Sequence, residues 1–179
     1  IVVSNVPHYG DNTVAEHAIT LLLALVKRLF SIHSRILAGD FTVGPMGIDL
    51  KGKTLGVIGA GRIGLHTIKI ARGFGMNVLA YDVIYNDFAR EILGYKYVPL
   101  EELLKNSDVI SLHVPYNKYT HHMINKDNIK LIKRGAILIN TARGAIVETD
   151  ALIQALDEGI LSGVCLDVIE GEELLLKDR

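Results

Sequence analysis

The run Gly59-Ala60-Gly61-Arg62-Ile63-Gly64 is a G-x-G-x-x-G pattern. Glycines are common, so the pattern alone says little. Its setting says more. The apolar segment Leu55-Gly56-Val57-Ile58 runs into it, and a helical pattern from about Arg62 to Phe74 leaves it, stopped by Gly75. At such a turn Gly59 permits a tight bend and Gly61 leaves room for a phosphate against the backbone. Gly64 lets helix and strand pack closely. Free N–H groups at the helix N-terminus favour an anion there. Arg62 either adds charge to that anion site or is solvated, and Ile63 lies inside the same turn. Asp82 follows the next apolar segment, Asn77 to Tyr81. A turn aspartate explains Asp82 alone. In register with the glycines, its carboxylate suits ribose hydroxyls and repels a 2′-phosphate. The residues after it, Val83, Ile84 and Tyr85, include no arginine. The expected ligand is NAD rather than NADP.

A nicotinamide at the other end of that ligand implies hydride exchange, and the chemistry inferred is exchange with the carbonyl of a 2-oxo acid. Such a reaction needs a cation for the carboxylate and a proton donor for the developing alkoxide. Arg143, just after the apolar segment Ala136–Asn140, is the candidate cation. A guanidinium grips a carboxylate with two hydrogen bonds and keeps its charge. A loop salt bridge explains an arginine there equally well.

The elements that must position these residues alternate along the chain. Strand-like segments are Ile1–Val3, Lys53–Ile58, Asn77–Tyr81, Val109–His113, Ala136–Asn140 and Gly163–Asp167. Helical patterns cover Val14–Leu37, Arg62–Phe74, Leu100–Lys105, Asn125–Ile132 and Asp150–Glu158. Thr13-Val14-Ala15-Glu16 reads as a capping box, and Gly39 as a stop. Leu21, Leu22, Leu25, Leu29 and Ile32 share one helix face, which suits core packing better than a subunit interface on pattern alone. The strands are short, apolar runs without alternation, as when both sheet faces are covered. The expectation is an α/β fold: a doubly wound parallel sheet of Rossmann type in three layers, forming one dinucleotide-binding domain over 1–179.

Composition narrows the partners. Hydrophobic residues are 49% of 179, which excludes disorder. Lys+Arg number 19 and Asp+Glu 20, a balance that gives no electrostatic reason to expect nucleic acid or an anionic membrane as partner. The apolar run Ala18–Val26 is too short to span a bilayer. Cys165 stands alone in Val164-Cys165-Leu166, which fits a core thiol in a reducing, cytoplasmic setting. His121 and His122 are adjacent and have no further ligand at metal spacing, so no metal is expected. Ser111 lacks a G-x-S-x-G turn, which leaves hydrolase chemistry without support.

Several segments resemble the D-isomer-specific 2-hydroxyacid dehydrogenases, in that family's order and over nearly the whole chain. They are Val6-Pro7, Val14-Ala15-Glu16-His17, Ser111-Leu112-His113-Val114-Pro115 with Thr120, Ile139-Asn140-Thr141-Ala142-Arg143-Gly144, and Leu166-Asp167-Val168 with Glu172. His113-Val114-Pro115-Tyr116, Thr120 to Ile124 and Glu170 to Glu173 are most similar to the D-lactate branch. The resemblance implies that Arg143 meets the substrate's carboxylate and carbonyl, and that Asp167 lies beside the nicotinamide carboxamide. It places His113, Val114, Pro115, Thr120, Thr141 and Ala142 along the cofactor cleft. It sets Glu172 behind an acid–base histidine, whose charged form a carboxylate favours. Read without the family, Glu172 is one of several surface acids.

That histidine falls, in the family, in a Pro-His segment beyond Glu172. None of the seven histidines here, at 8, 17, 33, 66, 113, 121 and 122, holds that place. The family's substrate-binding half before Ile1 has no counterpart either. The expectation is a fragment that binds NAD and turns over poorly by itself. The expected reaction is pyruvate to D-lactate. Glycerate, phosphoglycerate and glyoxylate are alternatives, as is an NAD-binding co-repressor that recruits peptides. Helix 14–37 resembles the family's subunit-pairing element, so a homodimer is expected.

Overall fold

The computed structural model describes residues 3, 4, 6, 9–44 and 46–172. Six strands, β1 (Thr54–Ile58), β2 (Asn77–Tyr81), β3 (Lys96–Tyr97), β4 (Val109–Leu112), β5 (Ala136–Asn140) and β6 (Leu161–Leu166), form one sheet. Their order is β3-β2-β1-β4-β5-β6 and every pairing is parallel. The chain starts at the centre, winds outward one way, returns, and winds out the other way. The switch lies between β1 and β4, where open α/β sheets take their ligands.

Two layers of helices explain the unbroken apolar strands. Leu55, Val57, Val109, Ile137, Ile139 and Cys165 face α1 (Asp11–Val26) and α3 (Arg62–Gly73), meeting Ile19, Leu22, Ile68 and Ala71. Ile58, Ile110, Leu112 and Leu138 face the other way, onto Leu103 and Leu104 of α5 (Leu100–Asn106) and Ala151, Leu152 and Ala155 of α6 (Thr149–Asp157). Neighbours along a strand point to opposite faces, so each strand needs apolar residues at every position. Burying each large side chain contributes about 2 kcal/mol. This is the expected three-layer, Rossmann-type fold.

The expected helix from Val14 to Leu37 is two helices. α1 opens at Asp11 with Gly10 at its cap position, and Glu16 accepts a hydrogen bond from Asn12 (2.5 Å) instead of closing a box with Thr13. It ends at Val26, because Arg28 turns left-handed (φ 55°) and the Val26 carbonyl accepts from the Ile48 N–H at 2.9 Å. The ion pair of Lys27 with Asp49 (2.7 Å) holds the same junction. The second helix, α2 (Leu29–Leu37), buries nothing: Leu29 and Ile32 are exposed, whereas Leu22 is in the core with Leu21 and Leu25 packed beside it. The core reading of the stripe therefore holds for α1 only.

Other boundaries move for local reasons. The expected helix at Asn125–Ile132 is a single 3-10 turn, Ile129–Leu131. The Asn125 side chain accepts from the N–H groups of Asp127 and Asn128 (2.9 and 3.3 Å), competing with helical bonding. A helix not anticipated, α4 (Asp87–Leu93), starts where Asn86 Oδ1 accepts from Ala89 N at 3.0 Å. The short edge strand β3 was likewise not anticipated. α6 begins at Thr149 with Glu148 in the cap position, one residue ahead of the expected caps. β6 starts two residues early, at Leu161, and Asp167 lies beyond its end. Of the expected opening strand, Ile1 and Val2 lie outside the described residues, and Val3 is exposed and not in a strand.

Candidate functional site

Strand register gathers the candidate residues. Ile58 lies beside Tyr81 and Leu112, Leu112 beside Asn140, and Asn140 beside Leu166. These are the last residues of five strands. The first residues past them are Gly59, Asp82, His113, Thr141 and Asp167, so the parallel ladder sets all five along one edge. Backbone bonds extend the ladder by one step: Gly59 N to Tyr81 O (2.8 Å), His113 N to Ile58 O (2.8 Å), and Asp167 N to Asn140 O (3.0 Å).

The glycine turn is built by absent side chains. Gly59 has φ +96°, and a Cβ on it would lie 2.8 Å from the His113 carbonyl. A Cβ on Gly64 would lie 2.0 Å from the Gly59 oxygen and 3.2 Å from Val57, so α3 can rest on β1 only without one. A Cβ on Gly61 would meet nothing within 4 Å. That space lies open above the N-terminus of α3. Asp82 sits under the turn: Oδ2 accepts from Ala60 N (2.7 Å) and Oδ1 from Ile84 N (3.1 Å). Each oxygen keeps a lone pair for a further donor. Arg62 does not extend freely. Its Nε donates to Asp11 Oδ2 at 2.6 Å, tying the start of α3 to the start of α1.

Beyond β4 and β5 the edge deepens into a cavity of about 750 Å³. It is lined by the residues after β4 and β5, His113 to Tyr116 and Thr141 to Arg143, together with Tyr9, Val14 and Ile63. Its size suits a small organic ligand. Asn140 shapes the β5 side. Nearly fully buried, its side chain donates to Arg143 O (2.9 Å) and accepts from Ala142 N (3.0 Å). That brace makes the chain turn at Thr141 and delivers Arg143 to the cavity. Among the described residues no carboxylate pairs with the Arg143 side chain, whose one hydrogen bond is to Ala142 O at 2.6 Å. Thr141 is 8% exposed and its hydroxyl has no partner among the described residues. A buried hydroxyl without a partner in a cavity wall is a vacancy in hydrogen bonding that a ligand can fill.

The remaining candidates are held by protein partners. His113 Nε2 meets Ser111 Oγ at 2.9 Å, and burial pushes the imidazole down to about 4, so it is neutral near pH 7. Thr120 Oγ1 donates to Pro115 O (2.6 Å) and accepts from Asn117 N (2.9 Å), fastening the loop after β4 without lining the cavity. Asp167 pairs with His17 of α1 at 3.3 Å. Glu172 turns back on its own loop, accepting from Ile169 N at 3.2 Å. Asp82, Asp167 and Glu172 do not line the cavity. Sequence reading did not single out Asn140 as a brace, Ser111 as partner to His113, or Tyr9 and Tyr116 as cavity wall. A polar residue ending an apolar strand was the available signal for Asn140.

A dinucleotide fits what is present. The open space over Gly61 and the N–H groups at the start of α3 suit a pyrophosphate. Asp82 has free lone pairs for ribose hydroxyls. The unpartnered Thr141 hydroxyl suits a polar group such as a carboxamide.

Known proteins agree. The family described as D-isomer specific 2-hydroxyacid dehydrogenase, NAD binding domain, matches residues 19–178. A glyoxylate reductase from Thermococcus litoralis is 45% identical over 96% of this chain and 54% of its own length. A D-lactate dehydrogenase from Streptococcus pyogenes is 41% identical over 96% of this chain and 52% of its own. The crystal structure of an Aquifex aeolicus D-lactate dehydrogenase, complexed with NAD and lactic acid, superposes with a TM-score of 0.93 at 49% identity. It covers 99% of this chain and 54% of that one. The chain thus spans about half the length of the relatives it matches. It belongs to the D-isomer-specific 2-hydroxyacid dehydrogenases and carries their NAD-binding domain.

Proposed function

We propose that the protein reduces a 2-oxo acid to a D-2-hydroxy acid, with pyruvate and D-lactate as the pair. The observation that carries the reading is Arg143, a cation without a carboxylate partner among the described residues, held at the cavity by the buried Asn140 brace. A guanidinium there grips the substrate carboxylate and draws charge from the carbonyl oxygen. When bound, the nicotinamide supplies the hydride. Thr141 and the Asp167 side orient it, and Gly59 to Gly64 with Asp82 hold the other end. His113 supplies no proton, because burial keeps it neutral. The proton donor is then a group other than His113. D-lactate dehydrogenases from Streptococcus pyogenes and Staphylococcus aureus, 41% and 43% identical, support pyruvate. The Thermococcus litoralis relative supports glyoxylate as the second reading.

Two measurements test this. NADH fluorescence titration of the 179-residue chain should show saturable binding, with negligible pyruvate turnover. In the full-length protein that carries the chain, Arg143→Gln should lower kcat/KM for pyruvate at least about a hundredfold and leave the NADH Kd within twofold. Equal loss of both would make Arg143 structural. A larger kcat/KM for glyoxylate than for pyruvate would move the assignment to the second reading.

The homodimer is also proposed. Leu29, Phe30, Ile36 and Leu37 on α2 are all at least half exposed, which suits a second copy. A sedimentation mass of one chain at micromolar concentration would count against it.

A further inference from the structure

The cluster around Glu170 is unused by the reading so far. Both its oxygens are engaged: Oε1 meets His122 Nε2 at 2.5 Å, and Oε2 accepts from Thr149 N (3.1 Å) and Thr149 Oγ1 (2.8 Å). Its partners stand 48 and 21 residues away in sequence, one in the segment after β4 and one at the start of α6. The three segments that leave β4, β5 and β6 therefore meet at one carboxylate.

The same segments are fitted together beside Arg143. A Cβ on Gly144 would lie 2.1 to 2.3 Å from the backbone of Ile169 and Glu170, so the β6 exit rests directly on the residue after Arg143. His122 holds a left-handed backbone (φ 48°) while its N–H donates to Ala145 O at 2.9 Å. That conformation is uncommon outside glycine and needs surrounding structure to hold it. Ile124 N to Ile146 O (3.1 Å) and Glu148 N to Ile124 O (2.9 Å) continue the seam. His122 also stacks on His121 (3.9 Å between ring centres), and His121 Nδ1 lies 3.3 Å from the hydroxyl of Tyr116 in the cavity wall.

We propose that Glu170 is a positioning residue: with His122 and Thr149 it clamps the β4, β5 and β6 exits so that Arg143 holds its pose at the cavity. The role rests on the reading of Arg143 as the carboxylate-binding cation. The pair is only partly exposed, His122 at 33% and Glu170 at 28%, so it is less screened than a surface pair. The hydrogen bond from His122, then those from Thr149, hold the Glu170 carboxyl down at about 2, so the clamp keeps its anion throughout the working pH range. An ordinary stabilising ion pair would cost stability when broken, with no preference between ligands. A clamp on Arg143 would cost affinity for a 2-oxo acid far more than for the dinucleotide, whose pyrophosphate turn at Gly59 and ribose contact at Asp82 lie on other strands.

Hydrogen exchange and ligand titration of the 179-residue chain separate these. In Glu170→Ala and in His122→Leu, the amides of Ile146 to Glu148 should exchange about tenfold faster, with those of β1 and β2 unchanged. Oxamate binding to the NADH complex should weaken about tenfold, while the NADH Kd stays within twofold. His122→Gln keeps an N–H donor and should recover most of the protection and oxamate affinity. Unchanged exchange at 146–148 overturns the clamp whether or not oxamate binds. Equal weakening of NADH and oxamate overturns it too, as plain destabilisation. Faster exchange in a chain whose wild type binds NADH but not oxamate supports the clamp and removes the Arg143 reading instead.

Discussion

The carboxyl edge of the sheet is made in two ways. Around β1 and β2 the site is backbone and empty space: Gly59 turns, Gly61 leaves room, and Gly64 lets α3 settle where a Cβ would lie 2.0 Å from the Gly59 oxygen. Around β4, β5 and β6 it is a web of side chains: Asn140, Thr120 and Glu170 each bond distant or turning backbone, and His122 bonds Glu170. The first region binds what is common to all dinucleotides, so it needs fixed N–H groups and no side-chain chemistry. The second must pose one cation for one substrate, and a flexible exit needs braces to do it.

If the glycine region is steric, its variants should fail all at once. Gly64→Ala drives a methyl into the Gly59 carbonyl, a backbone atom that cannot step aside. The expected cost is about 3 kcal/mol of unfolding free energy together with loss of measurable NADH binding. Normal urea unfolding with normal NADH affinity would show that α3 shifts freely, and the contrast between the two regions would go with it.

In the braced region the damage should be divisible. Asn140→Leu keeps the apolar strand but strands two backbone groups, Ala142 N and Arg143 O. Its expected cost is about 2 kcal/mol. It should also weaken oxamate binding to the NADH complex much more than it weakens NADH itself. Equal weakening would mean that Asn140 supports the edge as a whole.

This division also explains what could be read from sequence. Strands β2 and β5 and the glycine turn were legible because a run of apolar residues and a set of missing Cβ atoms are local properties. Gly59, Gly61, Gly64 and Asp82 keep their meaning in any context that follows a strand. The break at Arg28 was not legible, because the donor that takes the Val26 carbonyl comes from Ile48, beyond the helix pattern. Nor was the Glu170 cluster, whose partners are 48 and 21 residues apart. His121-His122 and Glu170-Gly171-Glu172-Glu173 read as solvated polar residues when each is taken alone. Asn125 misled for the opposite reason: its side chain bonds its own turn and defeats a helical pattern.

His113 stands at the seam between the two regions and should report on both through pH. Burial depresses its pKa from 6.5 to about 4. The folded chain therefore prefers the neutral ring, and the stability this supplies is present above pH 6.5. It is lost as pH falls through the folded value near 4. Discounted for partial exposure of the residue, the loss across that window should be roughly 2 kcal/mol. Urea titrations at several pH values should show the decline in the wild type and a shallower one in His113→Gln. Parallel declines would place the proton uptake elsewhere.

Thr141 offers the smallest effect and the sharpest sign. Its hydroxyl is buried and unpartnered among the described residues, a cost that folding carries without return until a ligand accepts or donates there. Thr141→Val removes that cost at nearly constant volume. The ligand-free chain should gain about 1 kcal/mol of stability, and NADH binding should weaken by about as much, because the orphaned partner is then on the ligand. In a structural hydroxyl both changes would be losses. In one that serves only the folded chain's packing neither would move. Opposite signs in the two measurements are expected only if the second region, like the first, is built incomplete on its own and finished by what it binds.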